Sequence, residues 1–120
     1  MRALLLVAHG SRRVSSNDEV RNLAEQLRSR AGSDFGYVTC AFLELADPSI
    51  PEGLEQCQQA GAKQVVVLPY FLSAGRHVAE DIPEIVRRFS SLHPRIQIEV
   101  APYLGRSSKL ADTLLELVKL

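Results

Sequence analysis

Apolar residues along the chain fall into two alternating periods. Four short runs, 3–8, 37–43, 65–68 and 96–100, are β-branched, aliphatic or aromatic. Each is followed by a polar loop and then a stretch with helical spacing. Leu4-Leu5-Leu6-Val7-Ala8 is continuous, which predicts a strand covered on both faces. Val65-Val66-Val67-Leu68 is the most hydrophobic run and predicts a central strand. Ile96-Gln97-Ile98-Glu99-Val100 alternates, which predicts an edge strand with one wet face.

The intervening stretches repeat every three to four residues. Val20, Leu23, Ala24 and Leu27 form one apolar stripe, with a start expected at the capping pattern Ser16-Asn17-Asp18-Glu19 and a stop at Gly32. Asp47-Pro48 predicts an N-cap and first helical residue ahead of the stripe Ile50, Leu54 and Cys57, which closes before Gly61. Ile82, Ile85, Val86 and Phe89 follow a longer loop, and a last helix carries Leu110, Ala111, Leu114, Leu115 and Val118. Four strand–helix units without a long linker predict one α/β domain over residues 1–120, an open parallel sheet with helices on both faces. A barrel would need eight such units.

Composition narrows the partners. Fourteen Lys and Arg balance fourteen Asp and Glu, which disfavours a general electrostatic grip on nucleic acid or an anionic membrane. Cys40 and Cys57 are too few and too widely spaced for a zinc knuckle or disulfide framework, and suit buried thiols in a reducing, cytoplasmic setting. The N-terminal apolar run is far shorter than the roughly 20 residues a membrane crossing needs.

Open parallel sheets bind ligands beyond the carboxyl ends of their strands, so the residues following each strand are the candidate chemistry. They are His9-Gly10-Ser11-Arg12-Arg13, then Glu44, then Ser73-Ala74-Gly75-Arg76-His77, then Pro102-Tyr103-Leu104-Gly105-Arg106. His9, Glu44 and His77 lie one strand–helix unit apart. Two imidazoles and a carboxylate suit a borderline divalent metal with open positions, and equally suit general-base roles. Each also has a plain alternative. His9 could bond a loop carbonyl, Glu44 could complement a helix dipole, and His77 could be a solvated loop residue. His93, before Pro94, reads as an exposed turn residue, and Tyr70, Phe71 and Tyr103 as packing residues. Arg12, Arg13, Arg76 and Arg106 all fall in the rim loops, which points to an anionic small ligand.

Three stretches at this rim, Leu-Leu-Val-Ala-His9-Gly10-Ser11-Arg12, Phe42-Leu43-Glu44-Leu45-Ala46-Asp47-Pro48-Ser49 and Leu68-Pro69-Tyr70-Phe71-Leu72-Ser73-Ala74-Gly75-Arg76-His77, resemble the short-form class II tetrapyrrole chelatases. These are the sirohydrochlorin cobaltochelatases and ferrochelatases. The resemblance covers the whole chain in order. It implies a flavodoxin-like three-layer sandwich with sheet order 2-1-3-4. It also implies ATP-independent insertion of Co²⁺ or Fe²⁺ into sirohydrochlorin, for cobalamin or sirohaem synthesis, with the metal as substrate and no prosthetic group. Position by position, His9, Glu44 and His77 match the family's metal-binding and catalytic residues. Arg12, Arg13, Arg76 and Arg106, with Ser11 and Tyr103 beside them, become candidate contacts to the substrate carboxylates. Longer relatives hold two such halves, so a homodimer is the expected way for one half to complete the cleft. Two other classes compete: a metal carrier or binding half without turnover, and a His-dependent phosphoryl-transfer enzyme using His9. The latter pattern wants Arg before His-Gly, where this chain has Ala8.

Overall fold

A computed structural model of the chain describes residues 1–119. The strands are β1 (Arg2–Ala8), β2 (Tyr37–Phe42), β3 (Gln64–Pro69) and β4 (Gln97–Val100), and the helices α1 (Val14–Ala31), α2 (Ile50–Gln59), α3 (Ile82–Leu92) and α4 (Leu110–Leu117). All strand pairs are parallel, in the order β2-β1-β3-β4. The Val65–Leu68 run in β3 is therefore central and the alternating run in β4 an edge, as their patterning predicts, and β1, also central, is covered on both faces as its continuous run predicts.

The direction of each step decides which face a helix covers. The chain moves from β1 to β2 one way, then to β3 and β4 the other, and right-handed crossovers put α1 on one face and α2 with α3 on the opposite one. Ala3, Leu5 and Val7 meet Ile50, Leu54, Cys57, Ile82, Val86 and Phe89 on the second face. Leu6 and Ala8 meet Val20 and Ala24 on the first.

Three local expectations fail. Helix α1 begins at Val14, one turn before the 16–19 capping pattern, and has no side-chain cap. Asn17 is turned instead toward the preceding loop. Helix α2 is capped by Ser49 rather than Asp47: Glu52 N–H donates to Ser49 Oγ, and the Glu52 carboxylate accepts from Ser49 N–H. Those bonds hold the Glu52 carboxyl below its usual range. His93 is not a free turn residue, since its ring stacks on Phe89 at 3.9 Å and its Nδ1 bonds the Phe89 carbonyl at the end of α3. Helix α4 forms where its stripe predicts, but Leu114, Leu115, Leu117 and the C-cap residue Val118 are between 56% and 76% exposed and belong to none of the core clusters among the described residues. On the sheet face beside Val66, Leu68 and Ala101 the packing partners are Leu27 and Phe35.

Candidate active site

The rim is assembled by extending the sheet ladder past the ends of the strands. Leu43 N–H donates to Ala8 O, Glu44 N–H to His9 O at 3.1 Å, and Tyr70 N–H to Val7 O. These bonds carry the backbones after β1 and β2 forward in register until Glu44 lies beside His9. Gly10 makes the approach possible. Its φ is +96°, and a Cβ there would stand 1.8 Å from the Glu44 carbonyl oxygen. Leu45, directly after Glu44, also holds a left-handed φ of 66°, a conformation costing a side chain about 1–2 kcal/mol. The turn that presents Glu44 is therefore strained backbone kept in place by its neighbours.

The three sequence-selected residues converge. His9 Nε2 stands 3.0 Å from Glu44 Oε2. The His9 and His77 rings are 4.8 Å apart, edge to face, with Phe71 6.4 Å from His77. All three functional side chains are about half exposed. His9 Nδ1 is 3.0 Å from the Gly10 carbonyl, which can only accept, so Nδ1 carries the proton. In that tautomer Nε2 presents a lone pair to a carboxylate, and such a contact requires a positive centre, a proton or a metal ion, between the two atoms. Two donors about 2.1 Å from a shared cation at tetrahedral or octahedral angles stand about 3.0–3.4 Å apart, so the pair already has the spacing of two ligands. Among the described residues, however, no three His, Cys, Asp or Glu side chains are arranged to hold an ion as they stand.

The other candidates divide. Ser11 Oγ accepts from Arg13 N–H, shaping the loop. Arg76 pairs with Glu80 at 3.6 Å, so its charge is partly engaged. Arg12, Arg13 and Arg106 have no carboxylate partner among the described residues. Tyr103 and Arg106 lie with Leu68, Pro102, Ser107 and Lys109 around a surface depression beyond β4. Gly105 packs against the Leu72 carbonyl and its N–H donates to Phe71 O, tying this loop to the one that carries His77.

Two residues were not legible as part of the site. Asn17, 6% exposed, clamps Ser11 at both backbone groups, accepting from Ser11 N–H at 2.9 Å and donating to Ser11 O at 2.7 Å. This fixes the His9 loop onto α1. Asp81 lies 2.9 Å from His77 Nδ1, across one π-helical turn, His77–Asp81, closed by Ile82 N–H donating to His77 O. A groove of about 370 Å³ beside this turn is lined by Leu43, Glu44, His77, Asp81, Glu84, Ile85 and Arg88. Arg87 and Arg88 both donate to Glu84, holding its carboxyl below the usual range.

The model of the CbiX family matches residues 3–119. The chain belongs to the CbiX family. Curated relatives that the chain is similar to include a sirohydrochlorin cobaltochelatase and a sirohydrochlorin ferrochelatase. The Methanococcus maripaludis sirohydrochlorin cobaltochelatase is 40% identical over 72% of this chain and 58% of its own. Among solved structures, a CbiX protein from Marinobacter aquaeolei is 28% identical, with a TM-score of 0.81 and coverage of 99% and 95%. The sirohydrochlorin chelatase SirB from Bacillus subtilis subspecies spizizenii, in complex with cobalt, is 30% identical with a TM-score of 0.87, and the match covers 98% of this chain but 50% of SirB. The chain spans about half the length of most of the curated relatives it matches. The CbiX fold is thus shared with proteins of one length and of two.

Proposed function

We propose that this CbiX protein inserts Co²⁺ or Fe²⁺ into sirohydrochlorin, as an ATP-independent chelatase in the cytoplasm. The observation that carries the reading is the 3.0 Å contact between His9 Nε2 and a Glu44 carboxylate oxygen, with the His77 ring alongside. The relatives' names supply the tetrapyrrole and the two metals. Two free cysteines, both buried, agree with a reducing compartment, and among the described residues no helix is long and apolar enough to cross a membrane.

Insertion exchanges water on the metal for four ring nitrogens and releases two pyrrole protons. In this reading His9 and Glu44 hold the cation by one edge of its coordination shell and leave its other positions open for the macrocycle. His77 acts as the second imidazole ligand and as acceptor for a pyrrole proton. Arg12, Arg13, Arg76 and Arg106, with Ser11 and Tyr103, meet the substrate carboxylates, to which guanidinium groups bind in bidentate geometry. An anaerobic absorbance assay with sirohydrochlorin and Co²⁺ or Fe²⁺ tests this. The tetrapyrrole spectrum should convert well above the rate with metal alone, and an indistinguishable rate rejects turnover in favour of a metal-binding protein.

A second copy of the chain completes the cleft. Support comes from the two-lobed length of SirB and from α4. Leu110, Ala111, Leu114, Leu115, Leu117 and Val118 share one side of that helix, with Asp112, Thr113 and Glu116 on the other. Covering half of what its four exposed aliphatic side chains show would contribute about 2–4 kcal/mol per protomer. Sedimentation should give a dimer, and Leu115→Glu with Val118→Glu should give a monomer; a wild-type monomer that turns over removes the second copy from the reading.

A further inference from the structure

Asp81 has no place in the chemistry described so far, yet it makes the only side-chain hydrogen bond of His77 among the described residues. The two are four residues apart on the π-helical turn that leads into α3, and that turn is continuous with a helix anchored in the core by Ile82, Val86 and Phe89. Asp81 Oδ2 lies 2.9 Å from Nδ1, while Glu84, the next acidic residue lining the groove, is paired with Arg87 and Arg88. Asp81 therefore has His77 as its partner and is not neutralised by an arginine among the described residues.

From this geometry we propose that Asp81 is a positioning residue: it fixes His77 as the Nδ1–H tautomer and thereby leaves Nε2 as the nitrogen that meets the metal or takes the pyrrole proton. An ionised carboxylate can only accept, so the hydrogen bond places the proton on Nδ1 and strips it from Nε2. Without such a partner a neutral imidazole divides between two tautomers, and in one of them Nε2 is blocked. The carboxylate also makes the imidazole a stronger donor and holds its ring plane, as outer carboxylates do for metal-bound histidines generally. His9 receives the same treatment from a different source, the Gly10 carbonyl, so both imidazoles carry the proton on Nδ1.

The proposal rests on the chelatase reading, and its test separates the two. Long-range ¹H–¹⁵N spectra of the imidazoles report the His77 tautomer without substrate. The wild type should show Nδ1–H, and Asp81→Ala a mixture shifted towards Nε2–H. Steady-state insertion by Asp81→Ala should lose 10–100-fold in kcat with a smaller change in KM for sirohydrochlorin, while far-UV circular dichroism is unchanged. Asp81→Asn, whose amide oxygen still accepts from Nδ1–H but carries no charge, should restore the tautomer fully and the rate in part. An unaltered tautomer in Asp81→Ala, or a rate within twofold of wild type, overturns the proposal. If the tautomer shifts as expected but the wild type itself inserts no metal, the positioning role stands and the chelatase reading fails.

Discussion

Gly10 is the position where one methyl group does most to the site. An alanine Cβ there would lie 1.8 Å from Glu44 O, against the 3.0 Å below which real contacts essentially never fall. The loops after β1 and β2 must then part by about 1.2 Å or more, which breaks the 3.1 Å bond from Glu44 N–H to His9 O. Losing that bond costs about 0.5–1.5 kcal/mol, and a left-handed alanine about 1–2 kcal/mol. The sum, about 1.5–3.5 kcal/mol, corresponds to a fall in Tm of about 5–20 °C in a chain of this length. Turnover should suffer more than stability, because misplacing a catalytic group by about 1 Å costs on the order of 100-fold. Gly61→Ala is the matched control, since it has a φ of +99° but nothing within 4 Å of the added Cβ. Thermal melts and insertion rates at 25 °C, well below both transitions, give the comparison. Gly61→Ala should lose stability alone. A Gly10→Ala protein with the turnover of Gly61→Ala would refute the claim that close approach at Gly10 sets the His9–Glu44 contact.

Other expectations follow from the surrounding structure. Asn17→Asp keeps the shape but cannot donate to Ser11 O, and should lower unfolding free energy by about 1–3 kcal/mol in urea titrations while loosening the His9 loop. Burial pushes the Cys57 thiol up to about 11, so native protein should react with Ellman's reagent only through unfolding, and in urea both cysteines should label. Because that value is raised on folding, its contribution to stability is whole below about pH 8.5 and is lost as pH climbs towards 11. Glu52 runs the other way. Its lowered value means its contribution is present above about pH 4.3 and disappears as pH falls through the folded value, and Ser49→Ala should remove about 0.5–2 kcal/mol with most of that acid dependence.

The central place of β3, the edge place of β4 and the shared rim of His9, Glu44 and His77 were readable from period and strand ends, whereas the full strand order came from the family resemblance. A continuous run must be covered twice, an alternating run once, and carboxyl ends of parallel strands share an edge. What escaped depends on where a polar side chain turns. Ser16-Asn17-Asp18-Glu19 has a capping pattern, but the Asn17 amide reaches back six residues to Ser11, a contact no local pattern specifies. Asp81 would have shown as the fourth residue after a histidine on a helix, had the turn beginning at His77 been distinguishable from the loop before Ile82. The stripe on α4 was legible as a stripe, but periodicity does not say what a face meets, and here most of it is left exposed among the described residues.

The central claim is that His9, Glu44 and His77 act together on one cation beside the macrocycle. The most direct measurement is anaerobic Co²⁺ insertion into sirohydrochlorin by His77→Ala next to wild type, with folding checked by circular dichroism. A rate that drops to the metal-only background in a folded variant is the expected result, and near wild-type turnover without that imidazole would contradict the claim.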